Sequence, residues 1–236
     1  MTSGDRTLWT AFSGHGTPII LCPGGPGCCD YLAPIAELID DEAYVIRYDP
    51  RGCGCSTLAP PYTVATSLAD LELIREQYGI DRWIVAGHSW GADLALIYAL
   101  HYPQRVIGCI CIAGGRVVND REWHRIYSEQ RNQGLEPDLP FAYPPNLDVN
   151  AELGRSWKAC IQRPSLLKEL SQLPCPTLFV YGEQDIRPRW PVEQIAALLS
   201  QAHWTLIHGA NHYIWTTHAR ELKNTIRAFM IEQAQV

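Results

Sequence analysis

The sequence predicts an α/β protein with a mostly parallel sheet, because apolar runs of strand length alternate with segments whose apolar residues have helical spacing. The predicted strands are Leu8–Ser13, Pro18–Cys22, Ala43–Tyr48, Arg82–Gly87, Val106–Ala113, Thr177–Tyr181 and His203–Ile207. The predicted helices are Tyr31–Ile39, Thr66–Tyr78, Ala92–His101, Pro191–Ser200 and Ala219–Glu232. The first two strands, joined through Gly14-His15-Gly16, are expected to form an antiparallel start of the sheet.

Composition sets the broad class. The chain has 236 residues, of which 47% are hydrophobic and 19% charged, enough for one α/β domain and slightly short for two. The formal net charge is −6 and lysines and arginines do not cluster, so we expect no nucleic-acid partner and no membrane partner. We also expect no signal peptide at Met1–Arg6 and no membrane span. Nothing in the sequence indicates the oligomeric state.

The nine cysteines do not have the spacing of a zinc site. Cys109 and Cys111 alternate with isoleucines and are expected to be small core residues of a strand. Reduced thiols in a cytoplasmic protein are the favoured interpretation. Four other cysteines are expected in loops that surround the active site: Cys28, Cys29, Cys53 and Cys55. We expect no metal and no organic cofactor.

The motif Gly87-His88-Ser89-Trp90-Gly91 lies between a predicted strand and a predicted helix. G-x-S-x-G in that context is a nucleophile elbow, a sharp turn that presents the serine hydroxyl at the carboxyl end of the sheet. The two glycines leave room for the strand and the helix to pass close together. Ser89 is therefore the predicted nucleophile, in a backbone conformation that costs about 1–3 kcal/mol.

A serine nucleophile needs a base, and the base needs an orienting carboxylate. Downstream, Asp185 follows one apolar strand and His212 follows the last one, in the order Ser, Asp, His that α/β-hydrolases use. We predict His212 as general base and Asp185 as its partner. Glu183, two residues before Asp185, remains an alternative, and His208 is a weaker candidate base. His88 is expected to point away from the substrate, into the sheet.

The loop Pro23-Gly24-Gly25-Pro26-Gly27 follows the second predicted strand. Consecutive glycines let the backbone approach a ligand, so we expect the Gly25 N–H to bind a developing oxyanion. The residue after the nucleophile supplies the second donor in this kind of turn, which is the Trp90 N–H. Each such donor is typically worth about 2.7–4 kcal/mol of transition-state stabilisation.

Three motifs together resemble the α/β-hydrolase fold family, with the prolyl aminopeptidase (proline iminopeptidase) branch most similar. They are Gly24-Gly25-Pro26-Gly27, the loop from Tyr48 to Ser56 with the pattern D-x-R-G-x-G-x-S, and Gly87 to Leu96. The resemblance covers roughly the first 113 residues and resumes near Pro176. It implies an α/β-hydrolase fold, a mostly parallel central sheet flanked by helices, with a small helical cap inserted after the sixth strand.

The expected cap is residues 114–164, and the expected core is residues 1–113 and 165–236. This cap is shorter than that of the family, whose carboxylates hold the free amino group of a substrate. Four glutamates are available for that role, Glu122, Glu129, Glu136 and Glu152, although each is expected to be a solvated surface charge. A further departure is Pro23, which replaces the histidine that opens the family's glycine loop.

The sequence thus predicts a serine hydrolase that cleaves a small ester or amide through an acyl-enzyme. The resemblance suggests an N-terminal proline peptide bond, and the expected partner is a small molecule or a short peptide. One alternative is a carboxylesterase or thioesterase with a short lid. A receptor-like, ligand-binding member of the fold is another, and so is transfer of the acyl group to an alcohol.

Overall fold

A computed structural model describes residues 7–233, so the expectation for Met1–Arg6 lies outside the described residues. Seven strands form one sheet, and each predicted strand is present with ends shifted by no more than two residues. They are β1 (Thr10–Gly14), β2 (Thr17–Cys22), β3 (Ala43–Tyr48), β4 (Trp83–His88), β5 (Val106–Ile112), β6 (Thr177–Gly182) and β7 (Ala202–Ile207).

The strands lie in the order β1-β3-β2-β4-β5-β6-β7. All neighbours are parallel except β1 and β3. The first strand is antiparallel, as expected, but its partner is β3 rather than β2. The physical reason is that β2 has a parallel neighbour on each side, β3 and β4, which leaves it no free edge for β1.

Eight α-helices connect and cover the strands within residues 7–233. They are α1 (Ala33–Ile39), α2 (Val64–Gln77), α3 (Trp90–His101), α4 (Arg121–Asn132), α5 (Leu147–Ile161), α6 (Leu166–Ser171), α7 (Trp190–Leu198) and α8 (Ala219–Gln233). Helix α2 begins two residues before its predicted start, because Thr63 and Thr66 form a capping box there. In the described part of the chain, none of these helices is both long and apolar enough to cross a bilayer.

The core has two layers, one on each face of the sheet. Alternate residues of one strand belong to different layers, as Cys109 and Cys111 on one face and Ile110 on the other show. Both cysteines are fully buried, as the sequence predicted. Strands buried on both faces read as continuous apolar runs, which explains why their positions could be predicted from the sequence.

Residues 114–164 contain helices α4 and α5 and lie between β5 and β6. Counted along this chain, the strand before them is the fifth and not the sixth, which corrects the expected position. Helix α5 packs on the core through Val149 and Leu153, which are buried against Cys53 and Tyr62. The segment therefore lies over the loop between β3 and α2, at the carboxyl edge of the sheet.

Candidate active site

Ser89 lies between β4 and α3 with φ 55° and ψ −123°, a left-handed conformation that strains a residue with a side chain. Its main-chain N–H donates to the Ile112 carbonyl at 2.8 Å, which fixes the turn to β5. A Cβ atom at Gly87 would lie 2.1 Å from the Gly91 carbonyl oxygen, and one at Gly91 would lie 2.0 Å from that of Cys22. Both glycines are needed for this close passage of strand and helix.

Asp185 and His212 follow β6 and β7, and their side chains meet. The His212 Nδ1 and Asp185 Oδ2 atoms are 2.6 Å apart, and the two side chains are 2% and 0% exposed. The Gln184 N–H donates to the Ala210 carbonyl at 2.8 Å, so the two loops are joined directly. The alternative acid, Glu183, instead contacts His208 at 3.1 Å, and the His208 side chain is 81% exposed.

Burial and charge set the protonation of the pair. Burial lowers the pKa of His212, the Asp185 carboxylate opposes this shift, and the net pKa lies below the usual value of 6.5. Burial alone would raise the pKa of Asp185, but the His212 ring and Arg187 outweigh it, and the net pKa is lowered. At neutral pH the imidazole is therefore uncharged and the carboxylate ionised, which is the pairing that a general base requires.

The loops that carry Ser89, Asp185 and His212 all follow parallel strands, so they converge at one edge of the sheet. The ring of His88, the residue before Ser89, packs against the His212 ring with centroids 4.5 Å apart. Among the described residues, no hydrogen bond joins the Ser89 hydroxyl to the His212 imidazole. Such bonds are often long in ligand-free enzymes and tighten when the substrate binds.

A chain of hydrogen bonds through His88 connects the Ser89 turn with the His212 loop and with the glycine loop. Its Nε2 lies 3.0 Å from the His212 carbonyl oxygen, which can only accept, so Nε2 carries the proton. Burial holds the pKa of His88 well below its usual value, so Nδ1 is unprotonated and accepts from the Tyr31 hydroxyl at 2.7 Å. The Tyr31 oxygen in turn accepts from the Gly24 N–H at 2.8 Å.

The two predicted oxyanion donors occupy this edge as well. Gly25 has φ +61°, a left-handed conformation that glycine adopts without strain. Trp90 is the first residue of α3, where an N–H has no partner within the helix. Among the described residues, neither main-chain N–H has an acceptor. The N–H groups of Gly25 and Trp90 therefore stay predicted oxyanion donors.

The loop after β3 contacts the segment that follows the glycine loop. The Asp49 carboxylate accepts from the main-chain N–H groups of Asp30 and Cys55, each at 2.7 Å. Arg51 pairs with Asp70, and its Nε lies 2.9 Å from the Asp70 carboxylate. Of the cysteines expected at the rim, Cys55 is exposed, whereas Cys28, Cys29 and Cys53 are buried. Burial raises the pKa of those three thiols, which makes them poor nucleophiles.

A cavity of about 240 Å³ opens beside Ser89. Aromatic side chains form part of its lining, and α4 and α5 contribute Trp123 and Trp157 to it. Four charged residues also line it, Asp93, Arg116, Lys158 and Arg187. Burial raises the pKa of Asp93 to about 7, although the main-chain N–H groups of Gly115 and Arg116 donate to its Oδ1.

Sequence reasoning missed Arg187, Arg116 and Tyr31. Arg187 lies 3.4 Å from Asp185 and donates to Tyr127 at 3.1 Å and to Glu136, which connects the Asp185 loop to the segment after α4. The sequence did offer one signal for Arg187, because it lies two residues after the predicted catalytic acid Asp185. Tyr31 and Arg116 gave no such signal, because the residues that they contact come from other loops and helices of the chain.

None of the four glutamates considered for amine binding lines this cavity. Glu122 and Glu129 pair with Arg125 on the exposed face of α4. Glu152 accepts from the Tyr62 N–H at 3.2 Å, and Glu136 pairs with Arg187. Each carboxylate therefore already has a partner within the protein.

Comparison with known proteins places the chain in a family. The family model described as alpha/beta hydrolase fold matches residues 17–138, more than half of the chain. A putative proline iminopeptidase of Mycoplasma pneumoniae is 38% identical over 102 residues, which cover 42% of this chain and 33% of that protein. The proline iminopeptidase of Saccharolobus solfataricus is 39% identical over 106 residues, covering 43% and 34%. The match thus spans about one third of the length of these relatives.

Solved structures agree on the fold. A thermophilic esterase from Thermogutta terrifontis superposes with a TM-score of 0.78 at 24% identity, covering 99% of this chain and 96% of that one. A proline iminopeptidase of Mycobacterium smegmatis gives a TM-score of 0.74 at 19% identity, covering 98% and 96%. The strand order, the turn at Ser89 and the family match lead to one conclusion: the chain belongs to the alpha/beta hydrolase fold family.

Proposed function

We propose that this chain is a serine hydrolase that cleaves a small ester or amide through an acyl-enzyme. Ser89 is the nucleophile, His212 the general base and Asp185 the group that orients His212. The observation that carries the proposal is the buried contact of 2.6 Å between His212 and Asp185, in loops that converge with the strained Ser89 turn. A buried acid and an imidazole arranged in this way have the roles of a serine hydrolase triad.

The reaction follows from these roles. The Ser89 oxygen attacks the carbonyl carbon of the substrate while its proton passes to Nε2 of His212. The oxyanion of the tetrahedral intermediate accepts from the N–H groups of Gly25 and Trp90. When the carbon–leaving-group bond breaks, His212 returns the proton to the leaving group and an ester on Ser89 remains. Water, deprotonated by His212, then attacks this ester and regenerates the Ser89 hydroxyl.

Residues 114–164 serve as the cap of this site in our proposal, with residues 1–113 and 165–236 as the core. This proposal is supported by contacts of residues 114–164 with the cavity beside Ser89 and with the glycine loop. Trp123 and Trp157 line the cavity beside Ser89. The same segment is bonded to the glycine loop, since the Asn146 N–H donates to the Gly27 carbonyl at 2.8 Å and the Asn150 side chain to the Pro26 carbonyl at 2.6 Å. The cap therefore fixes the far end of the loop that carries Gly25.

The geometry favours an ester over a peptide with a free N-terminal proline. A free amine needs a desolvated carboxylate partner. The four candidate glutamates of the cap have partners elsewhere, and Asp93, with a pKa of about 7, is only partly ionised at neutral pH. A proline peptide remains the second candidate because a putative proline iminopeptidase is 38% identical to this chain over 102 residues. That match covers only 33% of the relative's own length.

Turnover of two substrates tests the proposal. We expect hydrolysis of 4-nitrophenyl butyrate and much slower hydrolysis of proline 4-nitroanilide. The Ser89→Ala variant, which lacks the nucleophile, should lose both activities. Cleavage of the anilide alone would mean that the substrate is a proline peptide and not an ester. A Ser89→Ala variant as active as the native chain would refute the mechanism.

A further inference from the structure

Two residues that line the cavity beside Ser89 each have a buried hydrogen-bond donor without an acceptor. Nη1 of Arg116 and Nε1 of Trp90 are fully enclosed and have no hydrogen-bond partner among the described residues. Both side chains line the same cavity as Ser89. A buried donor without a partner is destabilising, and more so when it is charged, so two on residues of one cavity require an explanation.

Arg116 differs from the other arginine of the cavity. Arg187 is neutralised by Asp185 and Glu136, which lie within ion-pair distance. Among residues 7–233, no carboxylate lies within that distance of the Arg116 guanidinium. Burial lowers the pKa of Arg116, with Asp93 as the main opposing charge, but a guanidinium stays protonated at physiological pH. The cavity therefore contains a positive charge that the described protein does not neutralise by direct contact.

The Arg116 side chain is nevertheless held in a defined position. Its Cζ lies 3.6 Å from the centroid of the Trp123 ring, so the guanidinium is stacked on the indole. The Trp123 Nε1 donates to the Pro188 carbonyl at 2.9 Å, which fixes the ring. The Arg116 main chain is held as well, because its N–H donates to Asp93 Oδ1 at 2.7 Å. A guanidinium fixed in this way loses little conformational freedom when it binds a ligand.

From these contacts we propose that the cavity binds a carboxylate of the substrate, so that the preferred substrates are esters with a carboxylate at the end remote from the cleaved bond. This inference rests on the proposed function, since it names the substrate class of the same site. The carboxylate accepts hydrogen bonds from Arg116 Nη1 and Trp90 Nε1. It thereby supplies both missing acceptors and neutralises the guanidinium. Lys158, which is exposed and lines the same cavity, adds a solvent-screened positive charge.

A matched pair of esters tests this inference. In 4-nitrophenyl hexanoate a methyl group replaces the free carboxylate of mono-4-nitrophenyl adipate. A hydrogen bond to a charged group contributes about 1.5–3 kcal/mol, so kcat/KM should be about 10- to 100-fold higher for the adipate ester. In Arg116→Met the ratio of the two kcat/KM values should fall by a similar factor. Arg116→Lys keeps the positive charge but not the planar group stacked on Trp123. Its kcat/KM ratio should lie between those of the native chain and of Arg116→Met.

The control is Arg125→Met, which removes an exposed arginine of α4 and should leave the ratio of the two kcat/KM values at its native value. Equal kcat/KM for the two esters in the native chain would overturn the inference. A preference that persists in both Arg116 variants would also overturn it.

Calorimetric titration with adipate separates this inference from the proposed function. Binding by the native chain that weakens about 10-fold or more in Arg116→Met supports the carboxylate site even if neither ester is hydrolysed. Hydrolysis of hexanoate without adipate binding would leave the hydrolase intact and refute the carboxylate site. Circular dichroism establishes that each variant is folded.

Discussion

The Nε2 atom of His88 lies 3.0 Å from the main-chain carbonyl oxygen of His212, so the residue before the proposed nucleophile holds the loop of the proposed base. The same ring contacts the Tyr31 hydroxyl at 2.7 Å, and through it the glycine loop. A buried, uncharged histidine thus joins three loops that come from three different strands. In the proposed mechanism we therefore assign His88 a positioning role.

The first prediction follows from this contact. His88→Phe keeps an aromatic ring, but the Tyr31 O–H loses its acceptor and the His212 carbonyl loses its donor, each at a cost of about 1–3 kcal/mol. Urea unfolding should show a loss of unfolding free energy in this range or above. In activity assays kcat should fall, and the acid limb of the pH profile should be displaced. His101→Ala, at the end of α3, provides the control, because that ring contacts only the Ile97 carbonyl at 2.9 Å among the described residues. An unchanged kcat in His88→Phe would argue against the positioning role.

The second prediction concerns pH. Activity requires uncharged His212, whose pKa lies below 6.5, so kcat/KM should be constant near neutrality and fall as the pH drops through that lower value. Asp185 favours the charged imidazole, so Asp185→Asn should displace the acid limb to still lower pH and reduce kcat by about 10⁴-fold. A pH series of initial rates measures both effects. An acid limb centred above pH 7 would contradict the assignment of His212.

The third prediction compares two glycines. A Cβ at Gly91 would lie 2.0 Å from the Cys22 carbonyl oxygen, which belongs to the sheet and cannot move aside. Gly91→Ala should therefore destabilise the protein by about 1–3 kcal/mol or more. A Cβ at Gly154, in α5, would meet nothing within 4 Å beyond its own helix, so Gly154→Ala should stabilise the helix by up to about 1 kcal/mol. Thermal unfolding of both variants tests the pair, and similar Tm values would contradict the packing argument.

The fourth prediction uses Asp93, whose pKa is about 7 in the folded chain and about 3.9 when unfolded. Between these values the folded state binds the extra proton, so its stability falls as the pH rises from about 4 to about 7. In Asp93→Asn the side-chain amide oxygen can still accept from the N–H groups of Gly115 and Arg116, but the side chain no longer titrates. Relative to the native chain, the variant should gain at least about 1 kcal/mol in unfolding free energy between pH 5 and pH 8. No relative gain would mean that Asp93 is ionised throughout.

The sheet could be predicted because its strands are buried on both faces and carry no polar alternation. Helix α3 begins at Trp90 rather than at the predicted Ala92, because the turn at Ser89 leads directly into the helix. The short helix α6 was missed, since its six residues lie between Pro164 and Pro174 and offer too little periodicity. The pairing of β1 with β3 could not be foreseen either, because strand pairing depends on which edges remain free.

The candidate site divides in the same way. Ser89, Asp185, His212, Gly25 and Trp90 were predicted from motif and loop order, and the structure brings their loops to one edge of the sheet. The contacts among Tyr31, His88 and the His212 carbonyl join residues up to 124 positions apart, so no local pattern marks them. The stacking of Arg116 on Trp123 depends on how α4 lies against the loop after β5, which sequence spacing does not determine.

The central claim is that Ser89 is an activated nucleophile, and covalent labelling tests it most directly. A fluorophosphonate reacts with an activated serine and adds one phosphonyl group, which mass spectrometry of the intact chain and its peptides can locate. The account predicts one adduct on Ser89, none in Ser89→Ala, and strongly slowed labelling in His212→Ala. Labelling of Ser89→Ala at the native rate, or an adduct on another residue of the native chain, would contradict it.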